Sequence, residues 1–270
     1  MLTRYGVLGW PVAHSRSPAM FRALGLLYQL LPAPPELFGE IVPSLGPAGY
    51  GGANVTIPHK QAALALADET TDRAAAIGAA NTLTFADGRV HADNTDAPGF
   101  LASLPEPPDG KRALVLGAGG SARAVVWALV DAGASVAVWN RTPQRAEELA
   151  DDLGAEAVSA PMDADLLVNC TSIGLHYSSS GEVPNFKLLP LDPDELDEFS
   201  CVVDLVYRPG GTDLARASRE RGVPTIDGLE ILVRQGALSY ESWTGRAPDL
   251  DVMRQAARDP HAPAPASHPD

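Results

Sequence analysis

The stretch "LVLGAGGSA", Leu114 to Ala122, restricts the chain more than any other, because Gly117, Gly119 and Ala122 stand as G-x-G-x-x-A straight after an apolar run and straight before a helix-length segment. The first glycine permits a tight turn, the second lets backbone approach a pyrophosphate, and the small third residue allows close packing of helix on strand. The helix that follows presents N–H groups and a partial positive charge to the same spot. Taken alone the pattern is also that of a plain strand-to-helix turn. Its surroundings favour a dinucleotide cradle. "RALVLG", "SVAVWN", "DLLVNC" and "CVVDLV" are short β-rich runs, and the helical "SARAVVWALVDAG" separates the first two, which is the rhythm of an α/β unit with a parallel sheet.

About 20 residues beyond such a cradle, at the end of the next strand, an acidic side chain would bind the ribose 2′-hydroxyl of NAD. Here that slot holds Asn140, followed by Arg141, Thr142 and Pro143, with Arg145 one turn further. A carboxylate would repel a 2′-phosphate, whereas a guanidinium attracts it. Thr142 and Pro143 read as N-cap and first helical residue, so backbone donors aim at the same place. Two arginines at a helix start also occur as a merely solvated face. The three features together favour NADP.

The first hundred residues alternate strand-like "YGVLG", "FGEIV" and "GANVTI" with helix-like "SPAMFRALGLLYQL" and "QAALALADE", which suggests a second α/β layer with a mainly parallel sheet. "LPEPPDGK", Leu104 to Lys111, reads as the linker. Within "NVTIPHK", alternation puts Val55 and Ile57 on the packing face and Asn54 and Thr56 toward a cleft. Pro58 ends the strand and can begin a helix whose first turn holds Lys60. An ammonium at the positive end of a helix is electrostatically misplaced, a hint that its proton is used. Asp96, in the Gly- and Pro-bounded loop "ADNTDAPGF", is a candidate partner, though a surface salt bridge would look the same in sequence. Ser15 and Ser17, just before Pro18, fit a small carboxylate at a helix start, although the motif in isolation reads first as a capping serine with a solvated neighbour. Asn81, in "GAANTL", adds an amide suited to a substrate hydroxyl.

The remaining composition narrows the classes. Lys and Arg total 20 against 34 Asp and Glu, a formal charge of -14, which argues against a nucleic-acid binder. Any anionic ligand must then be met by a few placed cations. Cys170 and Cys201 end apolar runs and read as buried free thiols, as in a reducing cytoplasm. No apolar run approaches the roughly 20 residues of a membrane span, no signal peptide opens the chain, and no metal-ligand cluster stands out. "DPHAPAPASHPD", 259–270, reads as a disordered tail.

From Tyr5 to Trp243 the chain resembles the shikimate dehydrogenase family. The resemblance is carried by "HSRSP", "ANVTIPHK", "GAANTL", "DNTDAPGF", "GAGGSARA", "NRTPQRA", "NCTSIG", "DLVYRPGGT" and "DGLEILVRQGA", in that order. It implies a two-domain α/β protein with a cleft between a substrate domain, 1–103 and 229–258, and a Rossmann-like NADP domain, 104–228. It also implies NADPH-linked reduction of 3-dehydroshikimate to shikimate in aromatic amino-acid biosynthesis. Together with the missing leader and membrane span, the expectation is a cytoplasmic monomer or homodimer. Under it, Lys60 and Asp96 are the catalytic pair, and Ser15, Ser17, Thr56, Asn81, Tyr207 and Gln235 bind the substrate. Gly117, Ala118, Gly119, Gly120, Ser121, Asn140, Arg141, Thr142 and Arg145 hold the cofactor, Leu205 and Gly228 lie near its nicotinamide, and Asp72 matches a weaker cofactor-associated position.

The chain departs from the family pattern in the loop "LHYSSSGEVPNF", in Leu205 where methionine is common, and in Glu230 near the expected cleft. Two rival readings remain: a quinate or mixed quinate/shikimate dehydrogenase, and a catalytically silent NADP-binding protein of the same fold. Retention of Lys60, Asp96 and both serines speaks against the second.

Overall fold

The computed structural model describes residues 3–174, 185–208 and 210–259. The tail from 260 onward and most of the unusual loop, 175–184, lie outside the described residues. The chain divides into two compact units, Met1–Gly99 with Leu232–Asp270, and Phe100–Ile231. Among the described residues the strands form two six-stranded sheets, one per unit. No helix among them is long and apolar enough to cross a membrane, and no cluster of His, Cys, Asp and Glu groups is suited to a metal ion.

In chain order the first unit contains β1 (Arg4–Gly9), α1 (Ser17–Ala23), β2 (Leu27–Pro32), α2 (Phe38–Leu45), β3 (Tyr50–Val55), α3 (Lys60–Ala65), β4 (Glu69–Thr70), α4 (Asp72–Ile77), β5 (Thr82–Ala86), β6 (Arg89–Asp93) and the start of α5 (Asp96–Leu101). The sheet order is β2-β1-β3-β5-β6-β4. It is mixed rather than mainly parallel, because β5 runs antiparallel to both β3 and β6. β5 and β6 are joined by a two-residue hairpin: Asp87 and Gly88 adopt φ of 52° and 74°, the primed-turn geometry that Asp-Gly supplies.

Two expected elements change type. "FGEIV" is not a strand but the start of α2, since Phe38, Val42 and Leu45 repeat at helical spacing and all three are buried. "SPAMFRALGLLYQL" is not one helix. Gly25, at φ 84°, stops α1, and the residues beyond it form β2.

The unit is completed by residues far along the chain, on α9 (Gly228–Thr244) and α10 (Leu250–Arg258). Trp243 of α9 anchors this return. Its ring stacks on Tyr5 at 5.0 Å and lies 5.7 Å from Phe21 and 6.4 Å from Tyr28, while its Nε1–H donates to the Leu83 carbonyl at 3.1 Å. Aromatic contacts of this kind add to the area they bury. Gly52 makes the slot: a Cβ there would lie 2.3 Å from the indole Nε1.

The second unit runs β7 (Arg112–Leu116), α6 (Gly120–Asp131), β8 (Ser135–Trp139), α7 (Pro143–Leu153), β9 (Glu156–Ala157), β10 (Leu166–Asn169), β11 (Cys201–Asp204), α8 (Asp213–Glu220) and β12 (Thr225–Asp227). All its strands are parallel, in the order β12-β11-β10-β7-β8-β9. The chain therefore winds outward from β7 to β9, then restarts on the other side of β7 with β10. That reversal puts the carboxyl ends of β7 and β10 at a topological switch point, where open α/β sheets bind ligands. Of the two thiols expected to be buried, Cys201 is, while Cys170, in the loop just past β10, is partly exposed.

A buried carboxylate ties the loops at this end of the sheet. Asp204, fully buried, accepts from Asn169 Nδ2 at 2.9 Å, from the Val206 amide at 3.1 Å and from the Thr212 hydroxyl. Asn169 Oδ1 in turn accepts from the amide and hydroxyl of Thr171, and Thr212 Oγ1 caps α8 through the Ala215 amide. Burial pushes the Asp204 carboxyl up to about 6; the three donors offset part of that rise and the Asp227 charge adds to it.

Two outcomes follow from this packing. Gly52→Ala forces the indole or the neighbouring strand to shift and should cost about 1–3 kcal/mol, read from urea denaturation. Asp204 binds its proton more readily when folded than when unfolded. The stability of the wild type relative to Asp204→Asn is therefore greatest below the ordinary carboxylate pKa and declines as pH rises through about 6. Urea midpoints of both proteins from about pH 4 to pH 8 check this, and a difference independent of pH would contradict it.

Candidate active site and dinucleotide cradle

Lys60 and Asp96 meet. Lys60 is the first residue of α3 and Asp96 the first of α5, and Nζ lies 2.6 Å from Oδ2, with side chains only 10% and 16% exposed. The pair is thus largely desolvated, unlike the surface salt bridge that sequence alone allowed. The other carboxylate oxygen, Oδ1, accepts from Asn81 Nδ2 at 2.9 Å. Asn81, just before β5, also donates to Gln235 Oε1 of α9 at 3.1 Å. Gly99 makes that approach possible, since a Cβ on it would lie 2.7–2.8 Å from Gln235 backbone and Cβ. The first unit therefore links an ammonium, a carboxylate and two amides in one hydrogen-bonded series. Such a group can hold hydroxyls and pass a proton.

The "NVTIPHK" stretch differs from the alternation expected of it. β3 stops at Val55, and the Thr56 amide donates to Leu8 O at 2.8 Å before the His59 amide closes a turn onto Thr56 O at 3.0 Å. Ile57 at the apex is consequently 52% exposed, while Asn54 is buried among polar partners rather than facing a cleft. Thr56 is half-buried, and Gly9 leaves room for its methyl group, because a Cβ there would lie 2.5 Å from Thr56 Cγ2. The helix begins at Lys60 rather than at Pro58, with His59 as N-cap. His59 stacks on Phe38 at 4.2 Å and donates Nε2–H to Ala33 O at 2.7 Å. Burial lowers its pKa, the Ala33 bond offsetting part of the effect, so the imidazole is a neutral brace for the lysine helix.

Ser15 and Ser17 lie at the start of α1, whose N-cap is Arg16 without a side-chain cap bond. Ser15 Oγ accepts from the Ser17 amide at 3.3 Å, and Ser17 is buried.

In the second unit Gly117 follows β7 at φ 110°, and a Cβ on it would press within 3.1–3.2 Å of the Cys170 and Thr171 backbone. Ala118 is half-buried. Gly119 is the N-cap of α6, offers no side chain, and has open space where a Cβ would stand. Gly120 and Ser121 open the helix, so first-turn amides, which lack intrahelical acceptors, point outward from the switch point. This arrangement suits a pyrophosphate. Asn140 Nδ2 donates to Thr142 O at 2.9 Å, folding the turn that precedes α7. Thr142 is the N-cap, although its hydroxyl makes no cap bond, and Arg141 and Arg145 are exposed beside it. Leu205 and Gly228 touch, since a Cβ on Gly228 would fall 2.1 Å from Leu205 O, and Tyr207 is half-buried two residues on. Asp72 is the exposed first residue of α4 and belongs to the first unit.

Several residues of the site region escaped the sequence reading: Thr95 beside Asn81, Ser239 on α9, and the Asn169–Asp204–Thr212 node. For Asp204 a signal was present, a lone charge inside the apolar run "CVVDLV". For Thr95 and Ser239 there was none, because hydroxyls do not disturb a pattern.

Comparison with known proteins covers most of the chain. Three family models match in order: the shikimate dehydrogenase substrate binding domain over residues 7–83, shikimate/quinate 5-dehydrogenase over 103–172, and the shikimate 5′-dehydrogenase C-terminal domain over 228–258. A shikimate dehydrogenase (NADP(+)) of Thermus thermophilus is 46% identical over 95% of this chain and 98% of its own. The crystal structure of shikimate 5-dehydrogenase from another strain of Thermus thermophilus, in complex with NADP(H) and shikimate, superposes with a TM-score of 0.84. It is 43% identical over 95% of this chain and 99% of its own. A 5-ketofructose reductase of Gluconobacter, 32% identical over 96% and 99% of the two chains, has a TM-score of 0.81, so the fold also serves other substrates. With three family models met in sequence and near-full-length identity above 40%, the chain belongs to the shikimate dehydrogenase (NADP+) family.

Proposed function

We propose that this family member catalyses the reversible NADPH-dependent reduction of 3-dehydroshikimate to shikimate, with Lys60 and Asp96 as its acid–base pair. The observation that carries the reading is the short, desolvated contact between those two side chains, with the second carboxylate oxygen held by Asn81. Reduction of a ring ketone needs a proton at the carbonyl oxygen. The Lys60 ammonium hydrogen-bonds that oxygen at C3, stabilises the negative charge developing on it and donates the proton. Asp96 orients the ammonium and accepts from the neighbouring hydroxyl at C4. Ser15 and Ser17 receive the substrate carboxylate, and Thr56, Asn81, Gln235 and Tyr207 hold the ring.

The unit built on β7 to β12 holds NADP, which supplies the hydride from C4 of its nicotinamide when bound. Gly117 to Ser121 cradle the pyrophosphate. Asn140, Arg141, Thr142 and Arg145 meet the 2′-phosphate, and Leu205 and Gly228 flank the nicotinamide. Asp72 is assigned a peripheral cofactor role on resemblance alone. An acidic protein can bind such an anion because two guanidiniums and helix amides act locally.

Initial rates with shikimate and quinate, each with NADP+ and NAD+, test the reading. Turnover that prefers quinate would transfer the chain to the quinate branch, and binding of NADP+ without turnover on either alcohol would make it a silent binding protein. Lys60→Ala should lower kcat by about 10²-fold or more while changing KM little, and a variant with wild-type turnover would remove the lysine from the chemistry. Arg141→Ala should raise KM for NADPH by about tenfold or more and leave that for NADH nearly unchanged, since one charge-assisted contact to phosphate is worth roughly 1.5–3 kcal/mol. An equal loss with both cofactors would refute the 2′-phosphate contact.

A further inference from the structure

Below Asn81 and Asp96 lies a layer of neutral polar side chains that the proposed roles leave unused: Tyr28, Asn54, Thr82, Thr95 and Ser239, none more than 5% exposed. They form one connected chain. The Tyr28 hydroxyl donates to Asn54 Oδ1 at 2.8 Å, and Asn54 Nδ2 donates to Ser239 Oγ at 2.8 Å. Ser239 Oγ shares hydrogen bonds with the hydroxyls of Thr82 at 2.9 Å and Thr95 at 3.1 Å. Thr95 then meets Asn81 twice, its hydroxyl 3.0 Å from Nδ2 and its amide donating to Oδ1 at 2.7 Å.

We infer that Ser239 is a positioning residue for Asp96, acting through Thr95 and Asn81, a role that rests on the proposed reaction. A backbone amide can only donate, so the Thr95 N–H compels the Asn81 oxygen to face it and turns the NH2 group toward Asp96. Thr95 is itself held from below by Ser239, the junction of the chain, at which three neighbouring side chains converge. Ser239 lies four residues after Gln235 and bonds its carbonyl at 3.2 Å, so the two share one face of α9. Gln235 reaches Asn81 directly and Ser239 supports it from beneath. Without the serine hydroxyl, Thr95, Thr82 and Asn54 each lose a buried partner, and the Thr95 hydroxyl, already 3.0 Å from Asn81 Nδ2, is left to draw that NH2 group more strongly in competition with Asp96.

Ser239→Ala and Ser239→Cys test this together. Cysteine keeps nearly the serine volume while bonding weakly, so it separates loss of the hydroxyl from creation of a cavity. Both variants should lower kcat for shikimate oxidation by about tenfold, because small displacements of catalytic groups are costly. KM for NADP+ should stay unchanged and the solvent deuterium isotope effect on kcat should rise as proton transfer becomes limiting. Variants that lose thermal stability but keep wild-type kcat and isotope effect would overturn the inference and leave Ser239 a packing residue. Hydrogen exchange of the Asn81 side-chain amide, followed by NMR, needs no turnover and should accelerate in both variants. Unchanged exchange would overturn the positioning role whatever the enzyme does. Faster exchange in a protein without dehydrogenase activity would support the role and strike the reaction assigned above.

Discussion

A lysine and an aspartate removed from water must recover by mutual attraction and hydrogen bonding what they lose in hydration. Around Lys60 and Asp96 the compensation is visible. One carboxylate oxygen faces the ammonium and the other the Asn81 amide, which itself meets the neutral Gln235 amide. Additional charges would compete for the pair, whereas hydroxyls and amides fix its geometry without altering its net charge. Much of the first unit serves this end: β3, β5, the 94–95 connection and α9 each contribute polar groups to one buried cluster, and the same unit holds an apolar core around Leu8, Phe38, Val55 and Leu83.

The second unit meets a different constraint. A chain with a formal charge of -14 must attract a polyanion without a basic surface. In the assignment proposed above it relies on placement: a glycine turn at the switch point, a helix start without a side-chain cap, and two arginines beside the next helix. The same end of the sheet is held by Asp204, whose burial among neutral donors links the loops after β10 and β11. Here a carboxylate acts as an acceptor hub, which one negative group with several lone pairs can do better than a hydroxyl.

Legibility in sequence followed how local each signal was. The strands β7, β8, β10 and β11, the helix α6 and the cradle were readable because glycine spacing and apolar runs state them within a few residues. Lys60 and Asp96 were readable as candidates since a cation at a helix start is anomalous. β2 reads as helix in sequence when the apolar residues around Gly25 outweigh the stop that Gly25 makes, and α2 reads as strand when the β-rich look of "FGEIV" outweighs the helical spacing of Phe38, Val42 and Leu45. The antiparallel hairpin at Asp87-Gly88 was present in sequence and went unread. Ile57 departs from its expected packing face because alternation does not continue past Val55, where the strand ends, and Asn54 faces no cleft because Tyr28 and the distant Ser239 cover its side of β3. The supporting hydroxyls were not readable at all, for their partners are set by tertiary contact.

The return of α9 to the first sheet bears on how the protein is made. A nascent chain emerges from the ribosome in order, so the slot at Gly52 and the amide of Asn54 are synthesised long before the indole and hydroxyl that occupy them. Until those arrive, Tyr5 and Tyr28 of the amino-terminal sheet, Phe21 of α1 and the polar cluster lack these partners, while the parallel sheet has every one of its own strands already in hand. During translation the nucleotide-binding half can mature first, and competence for chemistry waits upon the last helices.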